Sequence, residues 1–135
     1  MEIMNMKERE EKRIESFPYK GQPLDVKGVT IRWLSQAGLD KDAPDYGLRF
    51  FTVAPGGEIP IHNHFYVQTM YILTGELSVA SHDPQTDQKG EEKTVGPHDF
   101  VFVPSMEPHS ITNLSKTEEA TFLCCIANVY QEDAA

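Results

Sequence analysis

Three histidines and a glutamine are the residues of this chain whose types and spacing best suit metal chemistry. His62 and His64 are separated by one residue, so on a β-strand both imidazoles project from the same face and can chelate one ion. Gln68 follows at an even separation, which keeps it on that face if the strand is regular and has no bulge. His109 comes directly after the turn Pro104–Pro108, where a barrel would bring it across. This pattern predicts a metal site made by His62, His64, His109 and Gln68.

The ligand set narrows the choice of metal without selecting one. Neutral imidazole binds Mn, Fe, Ni, Cu and Zn, and three imidazoles leave coordination positions open for water or substrate. We therefore expect one divalent transition metal ion per chain, either Mn, Fe, Ni or Zn, with Cu also compatible. The alternative is structural, because an isolated histidine on a strand is more often hydrogen-bonded or exposed than a ligand, and an H-x-H pair alone is weak support.

The elements that would position these residues are short β-strands. After Phe17 the sequence consists of runs rich in Val, Ile, Phe, Tyr and Thr, separated by turn signals such as Pro55-Gly56-Gly57. The predicted strands are Val29–Leu34, Gly47–Ala54, Ile59–His64, Gln68–Thr74, Glu76–Ser81, Lys93–Val95, Phe100–Val103, His109–Leu114 and Ala120–Val129. Such a series predicts an all-β sandwich or barrel.

Length and charge limit the classes of function. A chain of 135 residues suits a single domain. Its 12 Lys and Arg against 21 Asp and Glu give a formal charge of −9, which disfavours nucleic acid and anionic membrane surfaces as partners. No apolar run reaches the roughly 18 residues of a membrane helix and no secretory signal begins the sequence, so we expect a cytoplasmic protein.

Residues 1–16 differ from the rest of the chain. They are almost all charged residues or methionine, with Glu8 and Lys12 at helical spacing, and they predict a charged N-terminal arm that is either a short helix or disordered. Residues 17–135 are then the barrel. Cys124 and Cys125 are adjacent within an apolar run, which favours small core-strand residues over a disulfide or zinc knuckle.

The histidine segments resemble the two sequence motifs of the cupin superfamily. The first motif, G-x5-H-x-H-x3,4-E-x6-G, is matched at every spacing by Gly56, His62, His64, Gln68 and Gly75. The second, G-x5-P-x-G-x2-H-x3-N, is matched by Pro104, His109 and Asn113. The resemblance covers roughly residues 28–128 and implies a single-domain jelly-roll barrel, also called a double-stranded β-helix, which agrees with the strand count.

Three positions depart from the cupin pattern. Gln68 replaces the acidic ligand, whereas His98 and Met106 stand where the pattern has glycine and would alter turns rather than ligands. The sequence is similar to small manganese-type cupins with four histidine ligands, the fourth lying at the position of Gln68. The stretch from His64 to Leu77 is also similar to small cupins with a three-His and one-Gln site that help convert unsaturated uronates.

A neutral glutamine in place of a carboxylate leaves a bound ion with a formal site charge of about +2 instead of about +1, which favours anionic ligands. If Gln68 is not a direct ligand, it would hydrogen-bond a metal-bound water. We favour a metal-dependent, oxygenase-like enzyme acting on a small anionic or enolisable molecule. The alternatives are a non-redox isomerase or lyase acting on a sugar acid of the uronate type, and a non-catalytic barrel that binds a small molecule.

Other residues are weaker candidates for the site. Glu58, Glu107, Tyr66 and Arg49 are candidate substrate contacts, although each residue type is common in ordinary turns and sheets. Cavity lining is expected for Met70, Ile72, Ile111 and Phe102. The catalytic residues remain unknown. The resemblance also implies a homodimer, with Phe17–Leu24 as an arm that pairs the subunits.

Overall fold

The chain is built almost entirely from β-strands. The computed structural model describes residues 1–36 and 42–127, and in that part the chain forms one turn of 3-10 helix, Met6–Glu8, and eleven strands. The strands are β1 Lys12–Arg13, β2 Ser16–Tyr19, β3 Gln22–Asp25, β4 Lys27–Ser35, β5 Tyr46–His62, β6 Gln68–Thr74, β7 Leu77–His82, β8 Lys89–Val95, β9 Phe100–Val103, β10 His109–Thr112 and β11 Ala120–Ala127. No helix within these described ranges has the length and apolar character needed to cross a membrane.

Nine of the strands form one sheet that curls into a nearly closed barrel. Neighbouring strands are antiparallel in the order β8-β7-β10-β5-β11-β6-β9, and β4 and then β1 are attached beside β5. Alternate residues face inward, and Val53, Phe122 and Ile72 in the core are at most 1% exposed. β8 and β9 are the two ends of the strand order, so a seam separates them. The predicted all-β jelly-roll barrel is confirmed.

Most predicted strands are present, with one clear error. β6 and β9 have the predicted bounds. The last predicted strand, Ala120–Val129, begins as expected, but its final two residues lie outside the described part of the chain. The prediction of two strands separated by Pro55-Gly56-Gly57 was wrong, because β5 continues unbroken from Tyr46 to His62. Gly56 has φ +73°, so this segment makes a bend within the strand rather than a chain reversal.

Asn113 holds the bent part of β5 in place. Its side chain is 1% exposed, and its Nδ2 donates hydrogen bonds of 3.2 Å to the carbonyl oxygens of Val53 and Ala54. Its backbone N–H donates to the carbonyl of Gly57 at 2.9 Å. Because His62 lies at the end of the same strand, this clamp determines where that histidine enters the barrel.

The N-terminal segment is more ordered than its composition predicts. β1 pairs with β4, and β2 and β3 form a hairpin with Lys20 and Gly21 at φ +50° and +79°, as expected for a tight two-residue turn. The hairpin tip is tied to the β7–β8 turn, since Tyr19 Oη and Lys20 Nζ donate to Asp87 Oδ1 at 2.7 and 2.9 Å. The segment Phe17–Leu24, expected to pair two subunits, therefore contacts its own barrel, and the homodimer stays a prediction.

Replacing Gly75 with Ala is expected to destabilise the barrel by roughly 3 kcal/mol. Gly75 has φ +77°, and an added Cβ would lie 2.6 Å from the carbonyl oxygen of Glu119 and 2.7 Å from Cα of Ala120. Gly21→Ala is the matched control, because Gly21 has φ +79° with no atom within 4 Å of the added Cβ. Urea unfolding should give a loss of about 1 kcal/mol for the control, from backbone strain alone. Equal losses would show that the close approach does not matter.

Candidate metal centre

The four predicted ligands come together inside the barrel. His62 is the last residue of β5 and His109, the first of β10, lies opposite it in the sheet. His64, which was predicted to end a strand, lies in the loop after β5, and Gln68 begins β6 as predicted, so the parity of one regular strand does not relate the two. The ring centroids of His62 and His109 are 4.3 Å apart, and His64 is 5.6 and 5.1 Å from them. The ligand nitrogens of the three imidazoles all lie within 4.8 Å of one another.

Each imidazole is oriented by a backbone carbonyl two residues away in the chain. The Nδ1 atoms of the three histidines lie 2.9 Å from the carbonyl oxygens of Pro60, Tyr66 and Glu107. A carbonyl oxygen can only accept, so each Nδ1 carries the proton and each Nε2 keeps its lone pair. Nε2 of His64 and of His109 are buried without a hydrogen-bond partner among the described residues. These unpaired acceptors fit a divalent transition metal, which would replace the missing hydrogen bonds.

Burial keeps the three rings neutral, as metal ligation requires. Desolvation, followed by the charge of His109, lowers the pKa of His62 to about 3. Desolvation also lowers the pKa of His109 to about 4 and is the main cause of the lowered pKa of His64. The side chain of Gln68 contacts His64 and acts weakly in the opposite direction. Gln68 is 5% exposed and faces the same space as the rings. This position is compatible with Gln68 as a direct ligand or as the hydrogen-bond partner of a metal-bound water.

The metal-free protein should lose stability as the pH falls below about 6.5. Unfolded histidine takes up a proton near that pH, whereas His62 and His109 stay neutral in the folded chain down to pH values of about 3 and 4. Between these values the unfolded state binds more protons, so acidification favours unfolding, by about 2 kcal/mol per ring at pH 5. Urea unfolding in chelator at pH 7.5 and pH 5.0 measures the loss. The His62→Gln/His109→Gln variant should lose clearly less unfolding free energy between pH 7.5 and pH 5.0. An equal loss would contradict the assignment of this pH dependence to the two histidines.

Arg49 places a positive charge beside the histidines. Arg49 is 2% exposed. It lies on β5 with its side chain inward, opposite Cys124 of β11. Nη2 donates to the Cys124 sulfur at 2.8 Å, while the buried Nε has no partner among the described residues. The guanidinium also lies 5.4 Å from the ring centroid of Trp33 and 5.1 Å from that of Phe51. The guanidinium is thus a buried cation that these contacts leave without a carboxylate partner, and its field lowers the pKa of His62 and His64.

Aromatic rings cover two of the imidazoles. Phe17, from the N-terminal hairpin, stacks on His62 with centroids 4.8 Å apart and an interplanar angle of 18°. Tyr66 stacks on His64 at 4.1 Å and 8°. The motifs do not include Phe17, because it lies far from the histidines in sequence. The signal available in the sequence was that Phe17 and Tyr19 are two aromatic residues separated by one position, as on one face of a strand.

Two spaces adjoin the centre. The inner chamber has a volume of about 20 Å³, which is room for one water-sized molecule, and it is bounded by Arg49, His62, His64, Gln68 and Cys124 together with Phe17, Phe51, Ile59, Tyr66, Ile111 and Phe122. The outer cleft has a volume of about 320 Å³ and lies between β7, β8 and β9, at the seam of the barrel. His109 forms part of its wall.

The residues predicted as substrate contacts or as cavity lining do not all face the same space. Tyr66 and Arg49 line the inner chamber, whereas Glu107 lies exposed at the outer cleft and Glu58 lines neither space. Ile111 lines the inner chamber as expected. Phe102 is 55% exposed and lines the outer cleft rather than the inner chamber, because the strand parity of β9 places Val101 and Val103 toward the core. Cys125 is exposed for the same reason, while Cys124 is buried as expected.

The family of the chain is decided by a family model. The model of the cupin domain matches residues 49–126, more than half of the chain and all four predicted ligands. The chain belongs to the cupin family. A search of curated proteins found no match to this cupin.

Solved structures show the same fold. The polyketide cyclase RemF from Streptomyces resistomycificus aligns with a TM-score of 0.72 and 24% identity, over 98% of this chain and 89% of that one. An RmlC-like cupin from Shewanella frigidimarina aligns with a TM-score of 0.69 and 16% identity, over 99% and 96% of the two chains. Oxalate decarboxylase from B. subtilis aligns with a TM-score of 0.68 and 19% identity, over 97% of this cupin and 30% of the enzyme.

Two departures from the cupin motif can now be explained by backbone geometry. His98 and Met106, which replace glycines of the motif, have φ +77° and +66°. This left-handed conformation is open to glycine and costs other residues about 1 kcal/mol. The turns therefore keep the family geometry although the glycines are gone, as expected for substitutions that alter turns rather than ligands.

Proposed function

We propose that this cupin holds one divalent transition metal ion, Mn, Fe, Ni or Zn with Cu also compatible, and acts as a metal-dependent, oxygenase-like enzyme. His62, His64 and His109 would be ligands through Nε2, with Gln68 either as the fourth ligand or as hydrogen-bond partner of a bound water. The observation that carries the proposal is the convergence of three neutral imidazoles, two buried and that of His64 partly buried, whose Nδ1 atoms are already bonded to carbonyl oxygens. This arrangement leaves only Nε2 free to bind a ligand.

The charges of the centre favour an anionic or enolisable substrate. All four proposed ligands are neutral, so they leave the charge of the ion uncompensated. The guanidinium of Arg49 adds a second positive charge in the same chamber, where low polarity strengthens its attraction for an anion. When bound, the metal would supply Lewis acidity or, if redox-active, reaction with dioxygen. The protein would orient the anion through Arg49 and exclude water with the rings of Phe17 and Tyr66.

The residues around the chamber favour the oxygenase-like reading over an isomerase or lyase of sugar acids. An isomerase of that kind needs a general base beside the substrate carbon. Within the described ranges no Asp or Glu lines the inner chamber, and the carboxylates of the outer cleft, Glu91 and Glu107, are exposed to solvent rather than held beside the three histidines. The thiol of Cys124 is also a poor base, because burial raises its pKa and so keeps it protonated.

Elemental analysis combined with oxygen uptake tests this proposal. Protein purified without chelator should contain nearly one transition metal ion per chain, and the His62→Ala/His109→Ala variant should contain almost none. His98→Asn is a matched control that removes an exposed histidine from a left-handed turn that Asn tolerates, and it should keep its metal. Turnover of anionic or enolisable compounds should consume dioxygen. Metal-free wild-type protein that cannot be loaded with any of these ions would refute the site, and turnover without oxygen uptake would favour the isomerase or lyase.

A further inference from the structure

The outer cleft differs from the inner chamber in size and in chemistry. Its volume of about 320 Å³ lies within the range of small-molecule sites, whereas the chamber of about 20 Å³ has room for a small anionic group and not for a whole substrate with an apolar body. Both spaces border histidines of the candidate metal centre, since His109 belongs to the wall of the cleft and the other two histidines to the wall of the chamber. A substrate larger than a few atoms therefore has room to approach the centre through the cleft.

The walls of the cleft are mainly apolar. Val79, Val95, Val101 and Val103 form its inner part, and Phe100 and Phe102 stand at its edge. These two rings are 70% and 55% exposed, an unusual state for two aromatic residues on a strand of four residues. Three charged residues line the cleft: Lys93 and Glu91, which are exposed and paired with each other at 3.1 Å, and Glu107, which is exposed two residues before His109. The cleft thus offers a valine and phenylalanine surface, and its charge is confined to the exposed residues Glu91, Lys93 and Glu107.

We propose that the outer cleft holds the apolar body of the substrate, an aromatic hydroxy acid or enol of one or two rings, with its oxygen atoms directed to the metal centre. This inference rests on the proposed function and names its substrate class. A sugar acid fits less well, because its hydroxyl groups would lose hydrogen bonds to water and face valine and phenylalanine. An aromatic ring would bury apolar surface against the same side chains and stack on Phe100 or Phe102.

Fluorescence titration with 1-hydroxy-2-naphthoate, on the full chain loaded with Zn²⁺, tests the inference. The probe joins a two-ring apolar body to a carboxylate and a hydroxyl, and Zn²⁺ prevents redox turnover during the titration. Val101→Trp fills the cleft and should weaken binding at least about tenfold, and Phe102→Ser removes an exposed ring and should weaken it about fivefold. Leu114→Ser is the control, since Leu114 is an equally apolar residue, 69% exposed, outside the cleft. Galacturonate, measured by competition, should bind at least about tenfold more weakly than the naphthoate.

The metal content of the same samples separates this inference from the proposed function. Protein that loads Zn²⁺ but does not bind the naphthoate, or that binds galacturonate more tightly, overturns the substrate class and leaves the metal centre intact. Binding that is as sensitive to Leu114→Ser as to Phe102→Ser also overturns it. Naphthoate binding that depends on Phe102 in protein that takes up no Zn²⁺ supports the cleft ligand and overturns the proposed metal enzyme.

Discussion

Replacing His109 with Ala is expected to abolish the stabilisation of this protein by divalent metal. A ligand that binds only the folded state raises the free energy of unfolding by about 2.7 kcal/mol when its free concentration is about 100 times its Kd. For a domain of this size that corresponds to a rise in Tm of roughly 10 °C. The Nε2 of His109 is buried and unpaired in the described structure, so its removal takes away a nitrogen that is already held in position. Thermal unfolding with and without Zn²⁺ or Ni²⁺ measures the shift for each variant against its own metal-free form.

The comparison must separate the metal centre from binding elsewhere on an acidic protein of formal charge −9. His98→Asn should keep the full metal shift, because the ring of His98 is exposed and contacts Tyr71 rather than the cluster. If metal raised the Tm of His109→Ala as much as that of the control, the stabilising metal would lie on surface carboxylates. That result would contradict the predicted metal centre.

Replacing Arg49 with Met is expected to weaken anion binding about 30-fold while leaving the free energy of unfolding unchanged or higher. A hydrogen bond from a charged donor contributes about 2 kcal/mol, which sets the loss of affinity. The guanidinium itself is a buried charge held only by a thiol and two aromatic rings among the described residues, so its desolvation opposes folding. An unbranched apolar side chain of similar length can keep the packing between Trp33 and Phe51.

Azide is a suitable probe, because its binding to the Cu²⁺-loaded protein can be followed by absorption spectroscopy. Arg32→Met is the matched control: Arg32 donates to the carbonyl of Arg9 at 2.7 Å and does not line the inner chamber. Azide affinity should fall in Arg49→Met alone, and urea unfolding should show no loss of stability in that variant. Unchanged azide affinity together with a large loss of stability would make Arg49 a structural residue.

The strands that sequence reasoning placed well are those whose ends carry unambiguous signals. β6 and β9 have the predicted bounds, because each contains a short run of apolar and aromatic residues that Gly75 or Pro104 follows closely. β5 was divided at Pro55-Gly56-Gly57, since the same residues that make a turn also make a bend, and only the contacts of Asn113 distinguish the two. The hairpin of β2 and β3 was not predicted, because the charged residues before it dominate the composition of the N-terminus.

The residues of the candidate site could be predicted from the sequence, whereas their surroundings could not. His62, His64, Gln68 and His109 follow from motif spacing, and the structure brings the three histidines together with Gln68 beside them. Arg49 could be recognised as buried only after the pairing of β5 with β11 fixed which residues face inward. The compartment and the number of subunits depend on surfaces and signals that the fold does not contain, so the cytoplasmic location and the homodimer stay predictions.

Phe17 lies outside the part of the chain that the family model matches, residues 49–126, yet it contacts His62 directly. For the proposed metal, ligand exchange would therefore depend on a residue that the family model does not match. The ring of Phe17 stacked on His62 would slow the release of that metal. The Phe17→Ala variant, which keeps all four candidate ligands, should therefore lose the ion to a chelator faster. Relatives that share the four ligands can then differ in how long they retain the same metal, and the N-terminal hairpin rather than the barrel would set that residence time.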